Sequence, residues 1–204
     1  MSGGLFVTLE GIDGSGKSTQ VKLLAEALRA RGETVVLTRE PGGSDGAEEI
    51  RALVLQGDPD RWSPETETLL FTAARRDHME RVIEPALERD EVVLCDRFAD
   101  STRIYQGTTR GDLRALVDRL HDLVIGREPD LTLILDMDPH EGHARAKGRG
   151  SARARGHCGR SLGSRGQSPG LGRAGLSKCR QRGVARWFSN EIRKRSGRWS
   201  PAGA

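Results

Sequence analysis

Eight residues near the start of the chain, Gly11-Ile12-Asp13-Gly14-Ser15-Gly16-Lys17-Ser18, set the narrowest limit on what it can become. Glycines and a lysine at this spacing make a turn whose backbone N–H groups can surround an anion, provided a strand enters it and a helix leaves it. The flanks meet both conditions. Leu5 to Leu9 is a short apolar run with β-branched and aromatic members, which reads as a buried strand. After Ser18, the residues Val21, Leu23, Leu24, Ala27 and Leu28 recur at helical spacing until Gly32 stops them. In such a unit the loop amides and the positive helix end hold a β-phosphate, Lys17 reaches the β and γ oxygens, and the Ser18 hydroxyl ligates Mg2+. The expected ATP-binding stretch is Gly11, Ile12, Asp13, Gly14, Ser15, Gly16, Lys17, Ser18 and the adjoining Thr19.

Thr34 to Thr38, Glu91 to Cys95 and Leu131 to Leu135 are further runs, each apolar on both alternations, as strands covered on both faces require. Helical patterns lie between them at Ala47 to Leu55, Pro64 to Leu87 and Leu113 to Ile125. Strands alternating with helices predict an α/β chain with a parallel, doubly wound sheet. Ligands on such sheets bind beyond the carboxyl ends of the strands, and the loops after Leu9, Thr38, Cys95 and Leu135 are where Gly, Asp, Arg and Glu collect. There is no internal repeat.

Two of those loops carry candidate chemistry. In Thr38-Arg39-Glu40-Pro41-Gly42-Gly43, Arg39 is a candidate partner for an anionic acceptor; the alternative is a turn with a structural ion pair. In Asp96-Arg97-Phe98, Asp96 can hold hydrated magnesium while Arg97 reaches an acceptor phosphate; the alternative is a salt bridge tying two loops.

These segments, followed by Leu70-Phe71-Thr72-Ala73-Ala74-Arg75, by Ser101 and Tyr105-Gln106-Gly107, and by Leu135-Asp136, resemble thymidylate kinases in order and spacing over about residues 5–150. The resemblance implies the three-layer sandwich of the P-loop nucleoside-monophosphate kinases and transfer of the terminal phosphate of ATP to dTMP with Mg2+. It also implies roles position by position. Phe71 would stack on thymine and Arg75 bond its carbonyl edge, the alternative being Phe71 in the core and Arg75 a solvated charge, with Ser101 and Gln106 lining the same pocket. Tyr105 would lie against the sugar and favour the deoxy form. Asp13 would sit near the 3′-hydroxyl and phosphate, and Arg39 and Arg97 would grip the phosphate. Some members carry an arginine inside the phosphate loop and others bring it on a lid; with Gly14 at that position, the lid must supply it. Arg145, Lys147 and Arg149 stand in a run like that lid, the alternative being a solvated basic helix face, and spacing does not decide among them. The expected catalytic set is Asp13, Lys17, Arg39, Arg97 and Arg149, the metal ligands are Ser18 and Asp96, and the expected assembly is a homodimer.

A chain of 204 residues is close to the size of one domain. Its charge is uneven: residues 151–204 hold 13 Lys+Arg and only Glu191 as an acid, so that segment carries +12 and residues 1–150 carry −8, which together give the net +4. Cys95, Cys158 and Cys179 form no CxxC pair and have no His at zinc spacing, so reduced thiols are expected, with Cys95 buried. The N-terminus has no signal-like pattern and no apolar run approaches a membrane span, which predicts a cytoplasmic protein.

After Gly150 the pattern of the family is lost. Residues 151–204 are rich in Arg, Gly and Ser, lack any sustained period and have few large apolar residues, which predicts a disordered basic tail in place of the last edge strand and closing helices. A shifted reading frame in a GC-rich gene would account for so abrupt a change; the alternative is a natural divergent tail. Three alternatives follow: a related kinase with another acceptor, an inactive ATP-binding remnant, or single-strand nucleic-acid binding through Trp187, Phe188, Trp199 and the basic residues around them. Nucleic acid is the least supported of these.

Overall fold

The computed structural model describes residues 4–56, 58, 60–109 and 112–148, all within one compact unit. Arg149, Cys158, Cys179 and the whole of 151–204, with the expectations attached to them, lie outside the described residues.

The opening run forms β1 (Leu5–Glu10), and the phosphate-loop motif leads into α1 (Lys17–Arg29). Then follow β2 (Val35–Arg39), α2 (Asp45–Leu55) and α3 (Pro64–His78). A π turn over Met79–Ile83 carries α3 into α4 (Glu84–Glu88). This is the single helical pattern expected from Pro64 to Leu87, interrupted because Pro85 has no N–H to bond and its ring crowds the turn before it. Next come β3 (Val92–Asp96), α5 (Ala99–Ile104), α6 (Arg114–Leu120), β4 (Leu131–Ile134) and α7 (Pro139–Gly148). π turns also extend α5 over Tyr105–Thr109 and α6 over His121–Ile125. Gly126, left-handed at φ 65°, ends the latter by donating its N–H to the His121 carbonyl.

Among the described residues the four strands form one parallel sheet in the order β2-β3-β1-β4. The central strands β1 and β3 are buried along almost their whole length, as expected. β2 and β4 differ from expectation. They are the edge strands of this sheet, and Leu37 and Ile134 are exposed.

Because side chains alternate along a strand, Phe6, Thr8 and Glu10 share one face of β1 and Leu5, Val7 and Leu9 the other. Phe6 joins Val93, Cys95, Met79, Ile83, Ala86, Leu87, Phe98, Ala99 and Ile125 in one buried cluster. Its ring meets that of Phe98 edge to face at 5.0 Å. Thr8 is kept satisfied on this face by a 3.1 Å hydrogen bond between its hydroxyl and that of Thr132. Against the opposite face α1 places Val21, Ala25 and Leu28.

α5 and α7 were not legible as helices. Neither has an apolar stripe, and α7 contains Gly142, which disfavours a helix by about 1 kcal/mol relative to alanine. The start of α7 is held by Asp138, whose Oδ1 accepts the N–H groups of His140 (2.9 Å) and Glu141 (3.2 Å), with Pro139 at the first turn.

The burial pattern makes a differential prediction. Ile83→Val removes one methylene from a fully buried site and should cost about 0.5–1.5 kcal/mol. Leu23→Ala, at a position 53% exposed on α1, should stay within about 0.5 kcal/mol. Urea denaturation of the two variants measures both, and equal costs would mean that the core is wrongly placed.

Candidate active site

The pairing of β1 with β3 sets Leu9 opposite Asp96, so the loops that leave these strands lie side by side at the carboxyl edge of the sheet. On the first loop, α1 begins with no capping side chain and no acidic residue in its first turn. By contrast, α2 has Asp45 and Glu48 there and α3 has Glu65 and Glu67. The unpaired amides and the positive end of α1 are thus left for an external anion. Lys17 is buried against this loop, and its Nζ donates to the carbonyls of Gly11 and Ile12 at 2.8 Å each. Burial, and then the charge of Arg97, lower its pKa to about 8.

Ser18 and Asp96 meet across the two loops: the serine hydroxyl donates to Asp96 Oδ2 at 2.7 Å. A hydroxyl and a carboxylate beside a phosphate site are hard oxygen donors of the kind Mg2+ takes, so this pair fits the expected metal.

Arg97 stands at the centre of the second loop. Its backbone is left-handed at φ 78°, held by its N–H donating to the Leu9 carbonyl at 3.0 Å. Its guanidinium donates through Nη2 to Asp13 of the phosphate loop and through Nη1 to Ser101 Oγ at 3.0 Å, and it lies 5.6 Å from the Tyr105 ring centre. Asp13, Arg97, Ser101 and Tyr105, expected together, are together. Cys95, one residue before Asp96, is buried; its thiol donates to the Arg97 carbonyl at 3.0 Å, and burial pushes its pKa well up, which makes it an inert thiol.

Phe71 and Arg75 are one helical turn apart on the same face of α3, and both are buried, Phe71 to 9% exposure. Arg75 donates from Nε to Glu40 Oε2 (2.7 Å) and from Nη2 to the Phe98 carbonyl (3.1 Å) and Thr102 Oγ1 (2.9 Å). Gln106 is buried and donates from Nε2 to Glu67 Oε1 at 3.1 Å. Arg39 is half exposed and paired with Glu48 at 2.7 Å, the structural ion pair that was the alternative reading of its loop. Arg145 and Lys147 are exposed on α7, and Arg145 pairs with Glu141.

The residues that support this site and were not read from the sequence are acids. Glu40 holds both Arg75 and His78; His78 Nδ1 is 3.2 Å from Glu40 Oε1. Glu67 holds Gln106. Glu10, the last residue of β1, accepts the Phe98 N–H and the Ser101 hydroxyl, both at 2.7 Å. Its carboxyl pKa is raised, by burial first, against the lowering effect of these hydrogen bonds. A charged residue closing an otherwise apolar central strand was the signal for it.

Residues 9–157 match the sequence model of the family described as thymidylate kinase. The thymidylate kinase of Ruegeria pomeroyi is 77% identical over 150 residues, which cover 73% of this chain and 71% of that one. That of Dinoroseobacter shibae is 67% identical over 149 residues, covering 71% and 72% respectively. The chain belongs to the thymidylate kinase family. Among solved structures, the thymidylate kinase of Ehrlichia chaffeensis superposes with a TM-score of 0.63 at 45% identity, over 72% of this chain and 83% of that one. The parallel sheet with flanking helices is thus the P-loop fold of thymidylate kinases.

The family's alternative of an arginine inside the phosphate loop has a steric answer in this member. Gly14 has φ 88°, and a Cβ there would overlap the Gly142 carbonyl oxygen of α7 and lie 2.8 Å from its carbon. Any side chain at this position must therefore displace either the loop or α7. Gly32 has a similar φ of 85° but nothing within 4 Å of a Cβ, so it isolates the conformational cost alone. Gly14→Ala should destabilise by about 1–3 kcal/mol more than Gly32→Ala, the added cost being overpacking. Denaturant midpoints of the two variants decide this, and equal losses would remove the contact between the phosphate loop and α7.

Proposed function

We propose that the chain transfers the terminal phosphoryl group of ATP to the phosphate of dTMP, giving ADP and dTDP. The observation that carries this reading is the meeting of Lys17 and the uncapped start of α1 with Arg97 and Asp13 at one edge of the sheet. Such a transfer asks the protein for positioned cations and little covalent chemistry.

In this reading the phosphates of ATP take the loop amides and Lys17 Nζ in place of the Gly11 and Ile12 carbonyls. Arg97 passes from Asp13 to the acceptor phosphate, with Arg39 beside it at the end of β2. Ser18 and Asp96 would hold Mg2+, which would supply positive charge against that developing on the transferring phosphoryl group. Phe71 and Arg75 take the thymine, Ser101 and Gln106 line its pocket, and Tyr105 faces the sugar. Because Gly14 carries no side chain, the last cation comes from the run Arg145, Lys147 and Arg149. Among the described residues no helix is long and apolar enough to cross a membrane. The family resemblance supports a cytoplasmic enzyme. Exposed Leu69, Ile104 and Leu123, on α3, α5 and the π turn after α6, support a homodimer formed through these helices.

The family match ends at residue 157 of 204. A shifted reading frame after about residue 150 is the proposed origin of that departure, and resequencing the locus tests it.

The deciding assay supplies Mg-ATP with dTMP, dUMP, dCMP, thymidine or shikimate to this chain and to a version whose residues after 150 are replaced by the corresponding segment of the Ruegeria pomeroyi relative. The replaced version should turn over dTMP in preference to the rest, and Phe71→Ala should raise its KM for dTMP on the order of ten-fold or more, the scale of losing a stacked aromatic. Nucleotide binding without transfer in both versions would favour the remnant, and preference for another acceptor would sink the dTMP assignment.

Lys17 adds a proton count. Its folded pKa of about 8 lies below the ordinary 10.5, so the cost of burying its charge is fully present below pH 8 and fades as pH rises from 8 to 10.5. A polyphosphate against Nζ restores the charge. ADP binding at pH 9 should therefore take up a proton, seen in calorimetry as a heat that changes with the ionisation enthalpy of the buffer. Heats independent of buffer would mean that Lys17 does not meet the phosphates.

A further inference from the structure

Three side chains form a line from the end of β1 to the acceptor side of the site, and the direction of every proton in it is set. Glu10 Oε1 accepts the Phe98 N–H at 2.7 Å, which only a backbone donor can supply there. Glu10 Oε2 accepts the Ser101 hydroxyl proton at 2.7 Å. That leaves the lone pairs of Ser101 Oγ for Arg97 Nη1 at 3.0 Å. Arg97 continues through Nη2 to Asp13. Glu10 is buried, and as a carboxylate it has no proton to give, so in that state the line runs one way.

We propose that Glu10 is a positioning residue for the acceptor phosphate: it orients the Ser101 hydroxyl, and through it the Arg97 guanidinium, without itself touching a nucleotide. This rests on the reading of Arg97 as the phosphate-gripping residue. The backbone of Arg97 sits at a positive φ that a non-glycine residue adopts only when its surroundings hold it. Glu10 grips the chain on the next residue through the Phe98 N–H and the side chain through Ser101, so it fixes both ends of the arginine. The carbonyl of Glu10 also accepts the Leu135 N–H at 2.8 Å, which seats the residue between the loops that follow β3 and β4.

Glu10→Gln keeps the shape and changes the protons. With Oε1 still accepting from Phe98, the amide N–H turns onto Ser101 Oγ, the hydroxyl proton must swing away, and the negative charge behind Arg97 is gone. Because Arg97 would act on the phosphate alone, the loss should fall on dTMP and spare thymidine. The test is calorimetric affinity of the full chain and of Glu10→Gln for dTMP, thymidine and ADP.

The expected result is dTMP binding weakened on the order of ten-fold, the scale of a hydrogen bond to a charged group, with thymidine and ADP changed by less than about two-fold. Equal loss for dTMP and thymidine, or unchanged dTMP binding, overturns the proposal. Should Glu10→Gln fail to fold, Ser101→Ala cuts the same line at its middle. Because Ser101 also lines the thymine pocket, thymidine weakens too, but the line predicts a larger loss for dTMP, and an equal loss overturns it. Where Glu10→Gln folds, adding it to Ser101→Ala should bring little further loss, and full additivity overturns the relay. If the parent chain binds ADP but neither dTMP nor thymidine, the acceptor assignment itself fails and this inference falls with it.

Discussion

The hydrogen-bond ladder between β1 and β3 is the constraint on which the rest of the site depends. It aligns Leu9 with Asp96, and the two loops that follow are thereby brought into contact. One carries the uncapped helix start and Lys17, and the other carries Asp96 and Arg97. The pairs Ser18–Asp96 and Asp13–Arg97 both cross this boundary. A slip of one residue in that ladder would turn the side chains of one strand to the opposite face relative to the other and separate these partners.

Within this frame the site is built from cations and amides that each have an internal acceptor. Lys17 has loop carbonyls, Arg97 has Asp13, Arg75 has Glu40, Arg39 has Glu48 and Gln106 has Glu67. Buried charge without a partner is expensive, so a protein that must offer cations to phosphates needs temporary acceptors for them. In the proposed reading, binding becomes an exchange of acceptors. The lowered pKa of Lys17 reports the same tension, since two carbonyls do not fully replace the water lost on burial.

Close backbone approach is the other device. The Gly14–Gly142 contact brings α7 against the phosphate loop, and Gly142 is equally confined, its Cβ position lying 2.5 Å from Ile12 Cδ1 and 3.0 Å from the Asp13 carbonyl oxygen. A glycine that weakens α7 as a helix is what allows α7 to reach the loop. This explains why the lid-like basic run follows from an element that the sequence pattern did not reveal as a helix.

Much of the fold was legible because its signals are local. The phosphate loop, four strands and the long helices each announce themselves within a dozen residues, through apolar period or through glycines and lysine at one spacing. The supporting acids were not legible, because Glu10, Glu40 and Glu67 look like ordinary surface charges until their partners, far along the chain, are known. The edge exposure of β2 and β4 was hidden for the same reason, since strand order cannot be read from strand composition. The sequence by itself determined the chemistry on offer: an anion-binding turn, a strand-end Asp-Arg pair and an aromatic-arginine pair on one helix face. Only the tertiary structure decided which of these stand together and which carboxylate steadies which cation. Those contacts join residues as distant as Glu10 and Ser101, and they form only when parallel strands fix the register between them.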